Sequence, residues 1–165
     1  MFKILYLHGL DSFLNDEKRN VLEKYGEVLA PNIDYRSNSN IYDLFLEEIK
    51  KENIDVIIGS SMGGLIAYYL SHNTQKPSLL FNPALPYQSV LQIVDKGNID
   101  TSSELKYIIL GKKDIIVKYS DNIDFLNKNI HDSDNVEIKI INKLEHRIPT
   151  DIFEKEVFNF FKELK

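Results

Sequence analysis

The sequence predicts an α/β fold: a mostly parallel sheet of about six strands, with helices on both faces in three layers. Three observations carry this. Short apolar runs alternate with amphipathic stretches from end to end, the pattern of repeated βαβ units. Several runs, above all Asp55-Val56-Ile57-Ile58-Gly59, are too short and too β-branched for buried helices and read as buried strands. The chain has 165 residues, 43% of them hydrophobic and 27% charged, the size and balance of one ordinary globular domain.

Each element can be argued in order. Residues 3–7 are the first buried strand. Residues 15–25 form a helix with Leu14, Val21, Leu22 and Tyr25 on one side. Residues 27–30 are a short strand closed by Pro31. Ser37-Asn38-Ser39-Asn40 is a loop and helix N-cap, and residues 40–52 place Ile41, Phe45 and Ile49 at helical spacing. The strand 55–59 leads into a helix over 62–72, and 78–81 is a further strand. A helix is expected within 86–95, a strand over 105–110, a helix over 119–128 and a strand over 136–141. In the last helix, Asp151 and Glu154 have capping-box spacing, and Phe153, Val157, Phe160, Phe161 and Leu164 form one apolar stripe. No linker, repeat or low-complexity segment interrupts this rhythm, so residues 1–165 read as a single domain.

Composition excludes several chemistries. The formal net charge of -5 argues against nucleic acid or an anionic membrane as partner, because phosphate binding needs a basic face. The chain has no cysteine, which removes disulfides, thiolate zinc sites and a cysteine nucleophile. The first apolar run is too short for a signal-peptide core, and no stretch approaches the ~20 apolar residues of a membrane span. A soluble cytoplasmic protein is the expectation; the oligomeric state is not readable.

In open α/β sheets, ligands bind beyond the carboxyl ends of the strands. The polar residues just after each strand are therefore the candidates. The strand 55–59 runs into Gly59-Ser60-Ser61-Met62-Gly63-Gly64, which contains G-x-S-x-G. That spacing has a steric reason. A serine at the tip of a tight strand-to-helix turn exposes its Oγ, and the flanking residues crowd each other, so Gly59 and Gly63 suit the turn. Alone, three such positions match by chance in about 5% of proteins this long; the strand before and helix after supply the confirming context. A glycine-rich packing turn is the bland reading. A phosphate-binding turn lacks the Walker lysine and the dinucleotide glycine pattern.

A serine nucleophile needs an adjacent base, usually a histidine oriented by a carboxylate, in the chain order Ser, Asp or Glu, His. Of four histidines, His146 follows the strand 136–141 and precedes the last helix, at the carboxyl edge. His72 and His131 fall at the opposite edge. His8 is at the correct edge but early in the chain, and with Gly9 beside it suggests a turn held by the imidazole. Asp114 follows the strand 105–110 across a turn that Gly111 permits. Asp121, Asp124, Asp132 and Asp134 lie further on, and Glu145 is a possible substitute. The oxyanion donors expected are the backbone N–H groups of Met62, after the nucleophile, and Leu10, in the loop after the first strand.

These residues together resemble the α/β-hydrolase set: Leu7-His8-Gly9, Gly59-Ser60-Ser61-Met62-Gly63-Gly64, Gly111-Lys112-Lys113-Asp114 and Glu145-His146. The chain is especially similar to the small YqiA/YcfP-like bacterial esterases, which share a Tyr-Leu-His-Gly opening, a G-S-S-x-G-G elbow and an Asn-Pro-Ala run, here Asn82-Pro83-Ala84. The resemblance implies a carboxylesterase or related acyl hydrolase needing no metal or cofactor, with Ser61 as nucleophile, Asp114 as acid and His146 as base. Many relatives have glycine close before that histidine, where this chain has Lys143-Leu144-Glu145.

The short stretch between Phe81 and Leu105 leaves room for one helix and little lid. An open acyl pocket for short-chain esters or thioesters is expected, with Leu10, Met62, Leu85 and Ile148 as candidate lining. Two rivals stay open: a thioesterase, lactonase or acyltransferase using the same three residues, and a non-catalytic ligand- or protein-binding module on the same fold.

Overall fold

A computed structural model of the chain describes residues 1–97, 102–132 and 134–164. The elements are β1 (Phe2–Leu7), α1 (Asp16–Glu23), β2 (Gly26–Leu29), α2 (Ile41–Glu52), β3 (Val56–Ser60), α3 (Met62–Thr74), β4 (Ser78–Phe81), β5 (Lys106–Gly111), α4 (Tyr119–Asn129), β6 (Val136–Ile141) and α5 (Thr150–Glu163). The six strands form one parallel sheet in the order β2-β1-β3-β4-β5-β6. This is the α/β architecture the sequence predicts. The chain winds one way from β1 to β2, then crosses back to β3 on the other side of β1. The strand order therefore reverses between β1 and β3, and the crevice beyond their carboxyl ends is the natural ligand site of such a sheet.

Strand side chains alternate between two cores. On one face Leu5, Leu7, Ile57, Leu80, Ile108 and Leu110 pack against Phe45, Ile49, Leu65, Ile66 and Leu126 of α2, α3 and α4. On the other face Ile4, Tyr6, Ile58, Phe81 and Ile109 pack against Leu22 of α1 and Phe153, Val157, Phe160 and Phe161 of α5. Covered on both sides, the central strands read as continuous apolar runs. The edge strand β6 has no fully buried residue and mixes half-buried with exposed positions instead.

Three local expectations are corrected. No helix forms within 86–95. The segment is irregular, bending at Pro86, Ser89 and Val90, with Val90, Gln92 and Val94 turned inward and Leu91 and Ile93 outward. Pro86 removes a donor at its start, and the hydrogen bonds go elsewhere: Ile93 N donates to Ser39 O, and the buried Gln92 amide donates to Tyr35 O and Asn38 O. The Asp151–Glu154 capping box also does not form. α5 begins at Thr150 with Pro149 at the cap position and no side-chain cap. Glu154 pairs instead with Lys24 at 2.6 Å, tying α5 to the end of α1. Asn40 precedes α2 but makes no cap bond; Asn38 Oδ1 accepts the Asn40 N–H instead.

Candidate active site

The turn from β3 to α3 puts Ser61 at φ 53 and ψ -116, a left-handed backbone that a residue with a Cβ rarely adopts. Three hydrogen bonds hold it there. Ser61 N donates to Phe81 O at 3.0 Å, and Ser61 O accepts from Leu65 N at 3.1 Å and Ala84 N at 2.9 Å. The two elbow glycines are both required, for different reasons. A Cβ on Gly59 would lie 2.5 Å from Gly63 O and 2.7 Å from the Ala67 Cβ; one on Gly63 would lie 2.1 Å from Leu7 O and 2.4 Å from His8 O. Gly63 is thus pressed against the β1 loop, which brings that loop up to the serine.

The structure brings the three predicted side chains into one chain of hydrogen bonds. His146 Nε2 lies 3.0 Å from Ser61 Oγ, and His146 Nδ1 lies 2.7 Å from Asp114 Oδ2. The other carboxylate oxygen, Oδ1, accepts the Ile116 and Val117 N–H groups, each at 2.8 Å. The Asp114 side chain is fully buried and the His146 ring 28% exposed. A carboxylate on Nδ1 keeps the ring proton there and leaves the Nε2 lone pair facing the serine hydroxyl. The competing residues lie elsewhere. His72 is in the last turn of α3, and the His131 N–H donates to Asp134 beyond the opposite edge of the sheet. Glu145 is exposed.

The β1 loop lies beside the serine: a Cβ on Gly9 would stand 3.2 Å from the Ser61 Cβ. Leu10 lines the same cavity as Ser61. Met62 opens α3, so its N–H has no partner within the helix. His8 holds this loop, as its neighbour Gly9 suggests in the sequence. Ile33 N donates to His8 Nε2 at 2.8 Å, so the proton sits on Nδ1, which donates to Gly9 O at 2.7 Å. Tyr35 OH donates to His8 O at 2.7 Å.

One residue of the site carried no role in the sequence reading. Asn82, buried and at φ 41, accepts Gly111 N–H on Oδ1 at 2.7 Å. Its Nδ2 donates to Glu145 O at 2.9 Å and His146 O at 3.1 Å. It joins the end of β4 to the turn that leads to Asp114 and to the loop that carries His146. Its signal in the sequence was the Asn-Pro-Ala run directly after a strand. The neighbouring proline is explained as well: a Cβ on Gly64 would meet Pro83 at 2.9 Å, so helix and loop are in close contact.

A cavity of about 380 Å³ opens beside Ser61. Tyr6, Phe81, Ile148 and Phe153 form its apolar floor, and Lys18 and Arg147 stand in its wall. Burial pushes the Tyr6 phenol up to about 12. Burial, and then the charge of Arg147, lowers the Lys18 ammonium below its usual range. Leu10 and Ile148 line the cavity as expected. Met62 and Leu85 do not; both side chains are buried in the core on the α2–α4 face, since a helix start and the turn after Asn82 aim them inward. A separate depression of about 420 Å³, lined by Leu29, Ile33, Phe45 and neighbours, lies at the end of β2 and contains none of the three hydrogen-bonded side chains.

Residues 3–129 match the uncharacterised protein family UPF0227. The chain belongs to that family. The match includes Ser61, Asn82 and Asp114 and ends before His146. No curated protein sequence matches significantly. Solved structures share the fold at low identity. Est1E from Butyrivibrio proteoclasticus with ferulic acid bound has a TM-score of 0.76 and 14% identity, over 99% of this chain and 89% of that one. Arabidopsis thaliana SOBER1 has a TM-score of 0.67 and 16% identity, over 99% of both chains. The Bacillus cereus carboxylesterase has a TM-score of 0.66 and 17% identity, over 97% of this chain and 87% of that one. These likenesses establish the α/β-hydrolase fold for this UPF0227 chain. No described helix is long and apolar enough to cross a membrane.

Proposed function

We propose that this UPF0227 protein is a serine carboxylesterase that hydrolyses short-chain acyl esters through an acyl-enzyme. One observation carries the reading: the continuous path from Ser61 Oγ to His146 Nε2 at 3.0 Å and from His146 Nδ1 to Asp114 at 2.7 Å. In this reading His146 takes the Ser61 proton as Oγ attacks the ester carbonyl. The Met62 and Leu10 N–H groups receive the oxyanion. His146 then gives the proton to the leaving alcohol, and the buried Asp114 carboxylate stabilises the transient imidazolium. Water enters, loses a proton to His146, attacks the acyl-enzyme, and returns Ser61. No step calls for a metal or cofactor.

The strained Ser61 backbone supports the same role, since strain at an exposed nucleophile is what a strand-to-helix elbow maintains. Short acyl chains fit a cavity of about 380 Å³ that, among the described residues, no inserted helix covers, with Ser89 in its lining. Ser61→Ala is expected to abolish both hydrolysis of p-nitrophenyl butyrate and labelling by a fluorophosphonate. An Ala variant that keeps most of its activity overturns the assignment. A p-nitrophenyl series is expected to favour acetyl to hexanoyl esters over decanoyl and longer, and a parallel thioester panel fixes the leaving group.

A further inference from the structure

The cavity beside Ser61 is chemically lopsided. Its floor is aromatic and its wall carries two cations. Lys18, on the first turn of α1, is half-buried and holds its Nζ 5.4 Å from the centroid of the Phe153 ring. Arg147 directly follows His146 and lines the same cavity. Among the described residues, neither makes an ion pair. Two acidic groups are near: Asp11 lines the same cavity, and the Glu17 charge favours the Lys18 ammonium without a direct ion pair. Asp11 is held by Arg36 Nε at 3.1 Å and Nη2 at 2.6 Å, and the Glu17 carboxylate accepts the Thr150 hydroxyl at 2.8 Å. In a chain with 25 acidic residues against 20 Lys and Arg, two cations that line one cavity without a direct ion pair are out of keeping with the average surface.

The pair is also unfavourable to itself. The Arg147 charge is one of the influences that depress the Lys18 ammonium, so the cations are close enough to repel. Lys18 has given up part of its water to reach over an aromatic ring, where the counter-charge is weak. A bound anion would relieve both costs, and in a partly dry cleft its attraction to the pair exceeds that in bulk water. Arg supplies a planar fork and Lys a point charge, a combination suited to the oxygens of a carboxylate or phosphate.

We infer that Lys18 and Arg147 form an anion-binding subsite, so that the preferred esters carry an anionic group on an otherwise apolar chain. The inference rests on the proposed ester hydrolysis at Ser61 and names its substrate class. The apolar part lies on Tyr6, Phe81, Ile148 and Phe153, and the charged end meets the two cations. Attraction to an exposed pair is screened by salt, which gives a signature that a purely steric preference lacks.

The experiment measures kcat/KM ratios within one protein, so any general loss in a variant cancels. Monoethyl adipate is compared with ethyl hexanoate, which places the anion on the acyl side. The pair 4-(butanoyloxy)butanoate and butyl butanoate places it on the alcohol side. At low salt the anionic ester is expected to be preferred at least fivefold in one arm, and that arm names the side. The preference is expected to fall to about unity in Lys18→Met/Arg147→Met, to invert in Lys18→Glu, and to shrink on addition of 0.5 M NaCl. Ratios at or below unity in both arms, or a preference the double variant keeps, overturn it. A binding measurement separates this outcome from failure of the hydrolytic reading. In Ser61→Ala, calorimetry is expected to show the anionic ester of the preferred pair binding at least fivefold more tightly than its neutral partner. Equal affinities overturn the subsite even if Ser61 proves to be the nucleophile; a clear difference upholds it even if Ser61 does not.

Discussion

Asp114→Asn exchanges one oxygen for an NH₂ group at unchanged size, and the surroundings dictate how the amide must lie. Oδ1 accepts two backbone N–H groups, from Ile116 and Val117, at 2.8 Å each. The NH₂ cannot face two donors, so the amide oxygen keeps that place. The NH₂ then takes the position of Oδ2, 2.7 Å from His146 Nδ1. Facing a donor, Nδ1 becomes an acceptor and the ring proton moves to Nε2, which points at Ser61 Oγ from 3.0 Å. The imidazole then has no lone pair for the serine proton. In a Ser-His-Asp enzyme the wrong tautomer costs about 10⁴-fold in kcat, or about 5 kcal/mol of barrier. Stability changes less. Three charge-assisted bonds become neutral ones at about 1 kcal/mol each, which lowers Tm by about 6–12 °C. The assay is p-nitrophenyl butyrate hydrolysis near neutral pH, with the rate of fluorophosphonate labelling beside it and Tm by calorimetry to exclude unfolding. A folded variant that retains more than a tenth of wild-type kcat would refute the assignment of Asp114 as the group that sets the His146 tautomer.

Three further outcomes follow from packing and charge. Asn82→Asp turns a donor that faces two carbonyl oxygens into a carboxylate; kcat is expected to fall at least tenfold and Tm by about 5–10 °C, and kinetics within threefold of wild type would dismiss Asn82 as a positioning residue. Gly63→Ala drives a Cβ to 2.1 Å from Leu7 O, a backbone atom with no room to yield; overpacking of about 1–3 kcal/mol with displacement of the elbow is expected to remove most labelling and several degrees of Tm, whereas wild-type labelling contradicts the contact. Lys106 is 2% exposed with no hydrogen-bond partner for Nζ among the described residues, and burial lowers its pKa to about 8. The native chain therefore sheds this proton near pH 8, whereas the unfolded chain holds it to about pH 10.4, so wild-type stability gains with pH across that window. Lys106→Met is expected to raise Tm near neutral pH by several degrees, with the advantage shrinking towards about pH 9.5; a Tm difference that ignores pH, followed by calorimetry, would contradict the cost of burying that charge.

The sheet was legible because its central strands are covered on both faces. Val56-Ile57-Ile58 admits few other readings, and Ser61, Asp114 and His146 each follow a strand in the expected order. What misled was local. Val90, Leu91 and Val94 have helical spacing, yet Pro86 and the inward-facing Gln92 give the segment a period of two and partners on the loop before α2. Asp151 and Glu154 match a capping pattern, but the distant Lys24 takes the Glu154 carboxylate. Met62 and Leu85 are close in sequence to site residues, yet the local backbone turns both side chains inward. Asn82, Lys18 and Arg147 were out of reach for another reason. Their significance lies in what the fold assembles around them: three loop ends for the first, one cavity wall for the others.

The grip of Asn82 is made entirely on backbone atoms, the carbonyls of Glu145 and His146 and the N–H of Gly111. It is therefore indifferent to which side chains the histidine loop carries. No residue from 142 to 148 takes a positive φ, so Lys143-Leu144-Glu145 can stand where many relatives have glycine. The loop is anchored by its main chain and by the buried Leu144 and Ile148, and left free at the side chains of Lys143, Glu145 and Arg147. Arg147 sits in that free stretch, one residue from the imidazole. A single codon change there would redraw which molecules are welcome, and the proton path beside it would stay in place.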